Sequence, residues 1–119
     1  MRFLLNIAIQ ALPDLYSQCD AALVLSFTNL SLLPVELMAC GCPVVSNRGA
    51  NVEWLLSSDY AVLTEPTVNS LRDGIVNLLK DDAYRHHLIQ AGLAFADTTN
   101  WESESRKVAT LFQRLCDEF

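Results

Sequence analysis

Glu36 is the residue whose type and position most strongly suggest chemistry in this chain. It lies two residues after Pro34 in the otherwise apolar run NLSLLPVELMACGCPVVSN, residues 29–47. Pro34 predicts a helix start and Gly41 predicts the helix end. A loop that enters a helix presents unpaired backbone N–H groups, which favour an anion such as phosphate. We therefore expect a phosphorylated ligand here, with Glu36 accepting hydrogen bonds from a neutral part of it.

Each polar residue of this region also has a structural interpretation. A glutamate in the first turn of a helix offsets the helix dipole without touching any ligand, and this alternative applies to Glu36. Ser31 either donates its hydroxyl to phosphate or caps the helix. Glu53 could complete a hydroxyl-binding pair with Glu36, but a helix-start acid is its simpler role. For Arg48 we expect a surface salt bridge.

These residues need a scaffold, and the chain alternates strand and helix signals. That alternation predicts an α/β fold, a Rossmann-like parallel sheet flanked by helices. Continuous apolar runs predict strands buried on both faces, and they span residues 21–26, 43–46 and 60–63. Ligands bind beyond the carboxyl ends of such strands. The loops after Ser26 and Ser46 should therefore carry the site.

Helix signals fill the segments between and after the predicted strands. The predicted helices span residues 13–18, 34–40, 51–57 and 68–80, with Asn51 capping the third, and two further helices are capped by Asp81 and Asn100. The last helix should bury an apolar stripe made of Val108, Leu111, Phe112 and Leu115. We expect Trp54 and Trp101 to be packing residues and His86 and His87 to form a solvated face.

Bulk composition excludes several classes of protein. A chain of 119 residues is enough for one domain, and its 51% hydrophobic content excludes a disordered chain. The net charge of −6 repels nucleic-acid phosphate, so no nucleic acid is expected as partner. No apolar run approaches the roughly 18 residues of a membrane span. Residues 3–9 superficially resemble a signal peptide, but Asn6 interrupts the run and no clear cleavage site follows.

The four cysteines lack the spacing of a zinc site or of a redox pair. Their sequence positions contain no CxxC motif. We expect them to be buried free thiols that act as small hydrophobic residues in a reducing cytoplasm. They are Cys19, Cys40, Cys42 and Cys116.

A stretch centred on the Glu36 helix resembles a known family. The segments LYSQCDAALVLS and SLLPVELMACGCPVVSNRGANVEWL resemble the C-terminal domain of GT-B fold, group 4 retaining glycosyltransferases. Within this region, the segment SFTNLSLLPVELMACGCPVV most resembles the bacterial rhamnosyltransferase branch. Similarity extends over about residues 12–115. It implies a partial nucleotide-sugar-binding Rossmann-like domain over residues 12–119, after a lead-in at residues 1–11 that does not resemble the family.

The resemblance also implies a chemistry and its binding residues. Sugar transfer would proceed with retention from a dTDP- or UDP-sugar donor, without cofactor or metal, as part of polysaccharide biosynthesis. Glu36 matches the acid that binds the ribose of the nucleotide. The backbone of the preceding loop would bind the diphosphate and donor sugar. Thr28 stands where the family pattern has a second acid, eight residues before Glu36. The implied donor-binding loop residues are Thr28, Asn29, Leu30, Ser31, Leu32 and Leu33, and no catalytic residue is assigned.

The resemblance leaves two alternatives to a glycosyltransferase. Sugar-nucleotide epimerases share the architecture, and a truncated, non-catalytic fragment could bind nucleotide weakly or pack against a partner. In the family, a glycan or lipid-linked acceptor is held by an N-terminal domain that this sequence lacks. Strands absent from the sheet would leave an apolar edge exposed, which predicts self-association. The expected location is the cytoplasm, either free or peripheral to the inner face of the membrane.

Overall fold

Three short parallel strands form the centre of the computed structural model, which describes residues 6–119. Strand β1 is Ala22–Leu23, β2 is Val44–Asn47 and β3 is Val62–Thr64, and they lie side by side in that order. The architecture confirms the predicted α/β class with a Rossmann-like parallel sheet. The first five residues of the predicted lead-in lie outside the described residues.

Within residues 6–119, six helices and one 3-10 turn surround the sheet. The turn is Ile9–Ala11, and the helices are α1 Leu12–Ser17, α2 Leu33–Ala39, α3 Ala50–Glu53, α4 Val68–Lys80, α5 Asp82–Asp97 and α6 Trp101–Glu118. Asp81 and Asn100 cap α5 and α6 as predicted, each accepting a hydrogen bond from a backbone N–H in the first turn. Local signals therefore located most helix starts correctly.

Strand β2 is the most deeply buried element of the fold. Its four residues are all buried, and successive side chains enter two different cores. Val44 packs with α2 and α3 residues, whereas Val45 packs with Val62 and with Leu78 of α4. Because β2 has a strand on each side and helices on both faces, it fixes the positions of the loops at its ends.

The end of α2 follows from a single glycine. Gly41 has φ +76, a left-handed conformation that glycine adopts without a steric cost. Its N–H donates to the carbonyl of Met38 at 3.0 Å, and the N–H of Cys42 donates to that of Leu37 at 3.0 Å. This pair of bonds is a Schellman motif, and it turns the chain directly into β2. The predicted stop at Gly41 is confirmed.

The predicted burial of the first strand on both faces is wrong. Only Ala22–Leu23 is strand, although the Val24 N–H still donates to Val45, and Leu23 and Leu25 are 48% and 44% exposed. The reason is position. Within the described residues β1 lies at the edge of the sheet and has β2 as its single neighbour. An apolar run alone does not distinguish an edge strand from a central one.

The predicted core stripe of α6 is also wrong, and so is the packing role of both tryptophans. Side chains of Val108, Leu111, Phe112 and Leu115 are 42–63% exposed, and no residue of α6 is buried. Trp54 and Trp101 are 65% and 80% exposed. Helices α2 to α5 already fill both cores, so the apolar face of α6 has no partner within the described part of the chain.

Helix α3 differs from its prediction in both bounds. It spans Ala50–Glu53 and is preceded by Gly49, so Asn51 is a helical residue and not the cap. The Asn51 side chain instead donates to the Ser26 hydroxyl at 3.3 Å, which joins α3 to the segment after β1. The Asn51 side chain, which local propensity predicts to cap the helix, therefore makes a tertiary contact instead.

Candidate functional site

The candidate site begins where β1 gives way to the loop that enters α2. Ser26, the last buried residue before that loop, is held by Asn47 at the end of β2. Asn47 Oδ1 accepts from the Ser26 N–H at 2.9 Å, and its Nδ2 donates to the Ser26 carbonyl at 2.8 Å. Because Asn47 is itself only 1% exposed, the start of the loop is fixed to the tip of the central strand.

The loop itself presents a row of free backbone donors. None of the N–H groups of residues 27–32 donates a hydrogen bond to any group in the described part of the chain. Leu30 is 6% exposed and packs into the core, so its side chain anchors the loop and only its backbone is available to a ligand. The side chains of Thr28, Asn29, Ser31 and Leu32 are exposed. Such a row of donors is suited to an anion.

Ser31 accepts a hydrogen bond at the start of α2, although the N-cap residue is Leu32, which makes no side-chain cap. Its hydroxyl oxygen accepts a hydrogen bond from the Leu33 N–H at 3.3 Å. Pro34 has no N–H, and within residues 6–119 the Val35 N–H has no acceptor. The Ser31 proton stays available as a donor, so this hydrogen bond and a ligand contact are compatible.

Glu36 lines a pocket of about 230 Å³ between the first turn of α2 and the α5–α6 junction. Its carboxylate makes no hydrogen bond or ion pair with any described residue, which leaves it free to accept from a ligand. The pocket is lined by Leu32, Val35, Glu36, Thr99, Asn100, Trp101 and Glu104. The predicted residue therefore faces a cavity, but one whose far wall comes from a distant part of the chain.

Most polar residues of that far wall are already engaged. Three of them bond within their own turn: Asn100 accepts from the Ser103 N–H at 2.7 Å, Thr99 donates to the Ala96 carbonyl at 3.2 Å, and Glu104 pairs with Lys107 at 2.7 Å. Among the lining residues with polar side chains, those of Glu36 and Trp101 make no hydrogen bond or ion pair within residues 6–119.

A close contact between helices α2 and α5 lies next to the pocket in sequence. A Cβ atom on Gly92 of α5 would lie 3.1 Å from the Cγ of Met38 in α2, tighter than ordinary van der Waals contact. Gly92 is buried and Met38 is 2% exposed. Glycine thus lets α5 approach α2, and this approach brings the α5–α6 junction beside Glu36.

Glu53 is not part of this pocket. One carboxylate oxygen pairs with Arg48 at 3.1 Å, and the other accepts from the Gly49 N–H at 3.0 Å. Both residues are half-exposed. The carboxylate is therefore used at the start of α3, as predicted for a helix-start acid, and Arg48 forms the expected surface salt bridge.

Sequence reasoning missed three residues that shape the site. Asn47 lies one residue past the predicted strand end at residue 46, whereas it belongs to β2 and clamps Ser26. Trp101 was assigned to packing, and Glu104 was not considered at all. For Asn47 the sequence did contain a signal, which is an asparagine directly after an apolar strand. If it is buried at the strand tip, its amide must find hydrogen-bond partners. Nothing in the local sequence indicates that Trp101 and Glu36 share a cavity.

The thiols and histidines lie apart from the pocket. All four cysteines, which belong to the described residues, are free. Burial, together with the nearby Cys19, Cys40 and Asp20, raises the pKa of the Cys42 thiol to about 11. Cys116 is exposed, contrary to the expectation of burial, whereas His86 and His87 are exposed as predicted.

Residues 6–119 contain neither a cluster of metal ligands nor a helix suited to crossing a membrane. No three His, Cys, Asp or Glu side chains of this range lie together in an arrangement that could hold a metal ion. Among the helices of the same range, none combines the length and apolar character needed to cross a bilayer.

Relatives with similar sequences come from O-antigen synthesis. The chain is 34% identical over 96 residues to the O-antigen biosynthesis protein RfbC of Myxococcus xanthus, covering 79% of this chain and 8% of that protein. It is 27% identical over 116 residues to the O-antigen chain mannosyltransferase B of Escherichia coli, covering 97% of this chain and 30% of that protein. The chain thus spans less than a third of either relative.

Solved structures share the fold. Sucrose-phosphate synthase from Thermosynechococcus elongatus superposes with a TM-score of 0.88 at 24% identity, over 99% of this chain and 31% of that one. The C-terminal domain of a glycosyl transferase group 1 family protein (LpcC) from Francisella tularensis superposes with a TM-score of 0.63 at 21% identity, over 83% of this chain and 51% of that one. At these identities the likeness establishes the fold alone.

A family model identifies the chain directly. It describes glycosyl transferases group 1 and matches residues 1–95, a range that ends within α5 and includes the eleven residues treated above as a lead-in. The match therefore covers both the Glu36 helix and the loop before it. With most of its length matched in this way, the chain belongs to the glycosyl transferases group 1 family.

Proposed function

We propose that this chain forms the donor-binding half of a glycosyltransferase that moves a sugar from a nucleotide-sugar to a glycan or lipid-linked acceptor. One observation carries the proposal. Glu36 lies unpaired in a pocket directly after a loop, residues 27–32, whose N–H groups have no acceptor within the described residues. Together they offer an acceptor for hydroxyl groups and donors for a diphosphate.

The two parts of this arrangement suit the two parts of the donor. Backbone N–H groups can hold diphosphate oxygens and stabilise the negative charge that grows as the sugar leaves. A carboxylate such as that of Glu36 accepts from the ribose hydroxyls, with charge-assisted hydrogen bonds that are stronger than neutral ones. As the bond from the anomeric carbon to the phosphate oxygen breaks, the diphosphate keeps the electron pair, the acceptor oxygen forms a bond to that carbon, and the acceptor hydroxyl proton passes to the departing diphosphate.

Thr28 and Asn29 are the proposed contacts to the transferred sugar. Both are exposed at the start of the loop, close in sequence to the clamped Ser26. A threonine hydroxyl can donate one hydrogen bond and accept others. For the sugar we propose rhamnose, on the resemblance to the rhamnosyltransferase branch, and mannose is the second candidate because the Escherichia coli relative is named a mannosyltransferase.

Nucleotide binding by the chain tests the proposal. We expect UDP or dTDP to bind in isothermal titration calorimetry, and Glu36→Ala to weaken the tighter of the two at least about tenfold, since bonds to charged groups contribute about 1.5–3 kcal/mol. Glu36→Gln keeps an acceptor without the charge and should fall between. Glu118→Gln, at the far end of α6, is the matched control. Equal affinity for Glu36→Ala and the parent chain would remove Glu36 from the site.

We further propose that the chain acts in the cytoplasm, either free or peripheral to the inner face of the membrane, and that it self-associates through the β1 edge. Leu23, Leu25 and Phe27 expose apolar surface along that edge. Leu25→Lys should lower the mass measured by analytical ultracentrifugation, and Phe112→Lys on α6 is the comparison. A mass that falls only in Phe112→Lys would place the contact on α6 instead.

A further inference from the structure

We propose that Trp101 is the second wall of the Glu36 pocket and stacks against the nucleoside of the donor. The inference rests on the proposed function, because it names which part of a nucleotide-sugar enters the pocket and which side chain receives it. Trp101 is not among the residues that the family resemblance assigns to donor binding.

Exposure is the first observation. Trp101 is the first residue of α6, and 80% of its surface is exposed although it lines the pocket. Its indole N–H has no acceptor within residues 6–119, whereas that of Trp54 donates to the Asn51 carbonyl at 3.0 Å. A large flat ring beside a cavity that also holds a free carboxylate suits a ring-shaped ligand with hydroxyl groups.

Charge is the second observation, and it selects the part of the donor. The pocket lining contributes two carboxylates and contains no lysine, arginine or histidine. Glu104 is paired with Lys107, so Glu36 is the carboxylate without a cation partner within residues 6–119. A diphosphate would be repelled there, whereas a nucleoside is neutral. The volume of about 230 Å³ lies below the roughly 300–1,000 Å³ of a complete small-molecule site, so one portion of the donor fits and the rest extends along the loop.

The backbone just before Trp101 is fixed by hydrogen bonds to the end of α5 and within the first turn of α6. Asn100 caps α6 by accepting from the Ser103 N–H, and Thr99 bonds back to the last turn of α5. In that turn Phe95 stacks on Tyr60, with ring centroids 4.1 Å apart and planes 10° from parallel. Thr99, two residues before Trp101, is thereby tied to the end of α5, which fixes the chain to the body of the domain where α6 begins.

Tryptophan fluorescence isolates the proposed contact. Trp54→Phe leaves Trp101 as the single tryptophan of the chain, and Trp101→Phe leaves Trp54. We expect UDP and uridine to change the emission of the Trp54→Phe chain at the concentrations at which they bind. Inorganic pyrophosphate should not change it, because the diphosphate lies on the loop. Neither nucleotide nor nucleoside should change the emission of the Trp101→Phe chain.

Affinity supplies the second readout. Base stacking on an aromatic ring contributes about 1–3 kcal/mol, so Trp101→Ala should weaken UDP binding by roughly 5- to 150-fold. Trp101→Phe keeps a ring and should retain most of the affinity, and Trp54→Ala should leave it unchanged. Because Trp101 is exposed, we expect Trp101→Ala to melt within a few degrees of the parent chain, which circular dichroism checks.

The binding results distinguish failure of this inference from failure of the proposed function. If Glu36→Ala weakens UDP binding while Trp101→Ala does not, the nucleoside lies elsewhere in the site, and the inference is overturned while the function stands. An emission change with pyrophosphate alone would also overturn it. Absence of any UDP or dTDP binding by the parent chain would remove the proposed function and this inference together. If Glu36→Ala and Trp101→Ala both weaken UDP binding, the result supports contact of the ligand with both side chains.

Discussion

The side-chain amide of Asn47 and the backbone of Ser26 form a two-point hydrogen-bonded pair at the carboxyl edge of the sheet. The two bonds measure 2.9 and 2.8 Å and join residues that are 21 positions apart in the chain. Both residues are buried, and a third bond runs from Asn47 to the Arg48 carbonyl at 3.1 Å. This clamp continues the β1–β2 pairing past the last strand residue and decides where the loop of residues 27–32 begins.

Breaking the clamp should affect both stability and binding. Asn47→Ala leaves the buried N–H and carbonyl of Ser26 without partners, which we expect to cost about 2–3 kcal/mol in the free energy of unfolding measured with urea. Asn47→Asp keeps the shape but places a carboxylate against the Ser26 carbonyl, so it should be destabilising as well. Asn69→Ala, exposed in α4, is the control. Unchanged stability in both Asn47 variants would contradict the structural role assigned to the clamp.

Removing the Ser46 hydroxyl should stabilise the protein. Ser46 is completely buried in β2, and its hydroxyl has no hydrogen-bond partner among the described residues. An unsatisfied buried hydroxyl is costly, so Ser46→Ala should raise the free energy of unfolding by about 1 kcal/mol. Ser58→Ala, at an exposed position, should leave it unchanged. A clear loss of stability in Ser46→Ala would mean that the hydroxyl has a partner in solution.

Enlarging Gly92 should open the pocket and weaken the fold. A larger side chain must displace Met38 in α2, and overpacking of this kind costs about 1–3 kcal/mol. We expect Gly92→Val to lose stability of that order and to bind UDP more weakly, because α2 carries Glu36. Ala94→Val, at an exposed position of the same helix, controls for the helix propensity of valine. A loss in Gly92→Val no larger than that in Ala94→Val would contradict the clash with Met38, because replacing glycine by valine is favourable on helix propensity alone.

Stability should fall at alkaline pH because of Cys42. Burial raises the pKa of its thiol to about 11, whereas an unfolded cysteine titrates near about 8.5. Between those values the unfolded chain loses the proton and the folded chain keeps it, so unfolding is favoured as pH rises through this window. Urea titrations on either side of it should show the loss, and Cys42→Ala should show less of it. An identical pH profile in the variant would exclude Cys42 as the cause.

Much of this protein was readable from local sequence. Pro34 and Gly41 bracket the helix that carries Glu36, and Asp81 and Asn100 mark the starts of the last two helices, because caps and left-handed glycines act over a few residues. The alternation of apolar runs with helical periods gave the parallel α/β class. The residues around Glu36 carried the resemblance to the family.

Burial was decided by the tertiary structure, since an apolar pattern does not say what will cover it. Leu25 and Trp101 were predicted as interior residues and are exposed, because β1 is an edge strand and α6 has no partner within the described residues. Periodicity reports which side chains share a face. Whether that face is covered depends on elements distant in sequence.

The site was likewise completed only in three dimensions. Sequence alone placed Glu36 at a helix start beside a loop with free backbone donors. Only folding brought the α5–α6 junction against that helix, through the close approach of Gly92 to Met38, and so paired the carboxylate with an indole ring. Hydrogen bonds such as that between Asn47 and Ser26 join distant segments, and no local propensity encodes them.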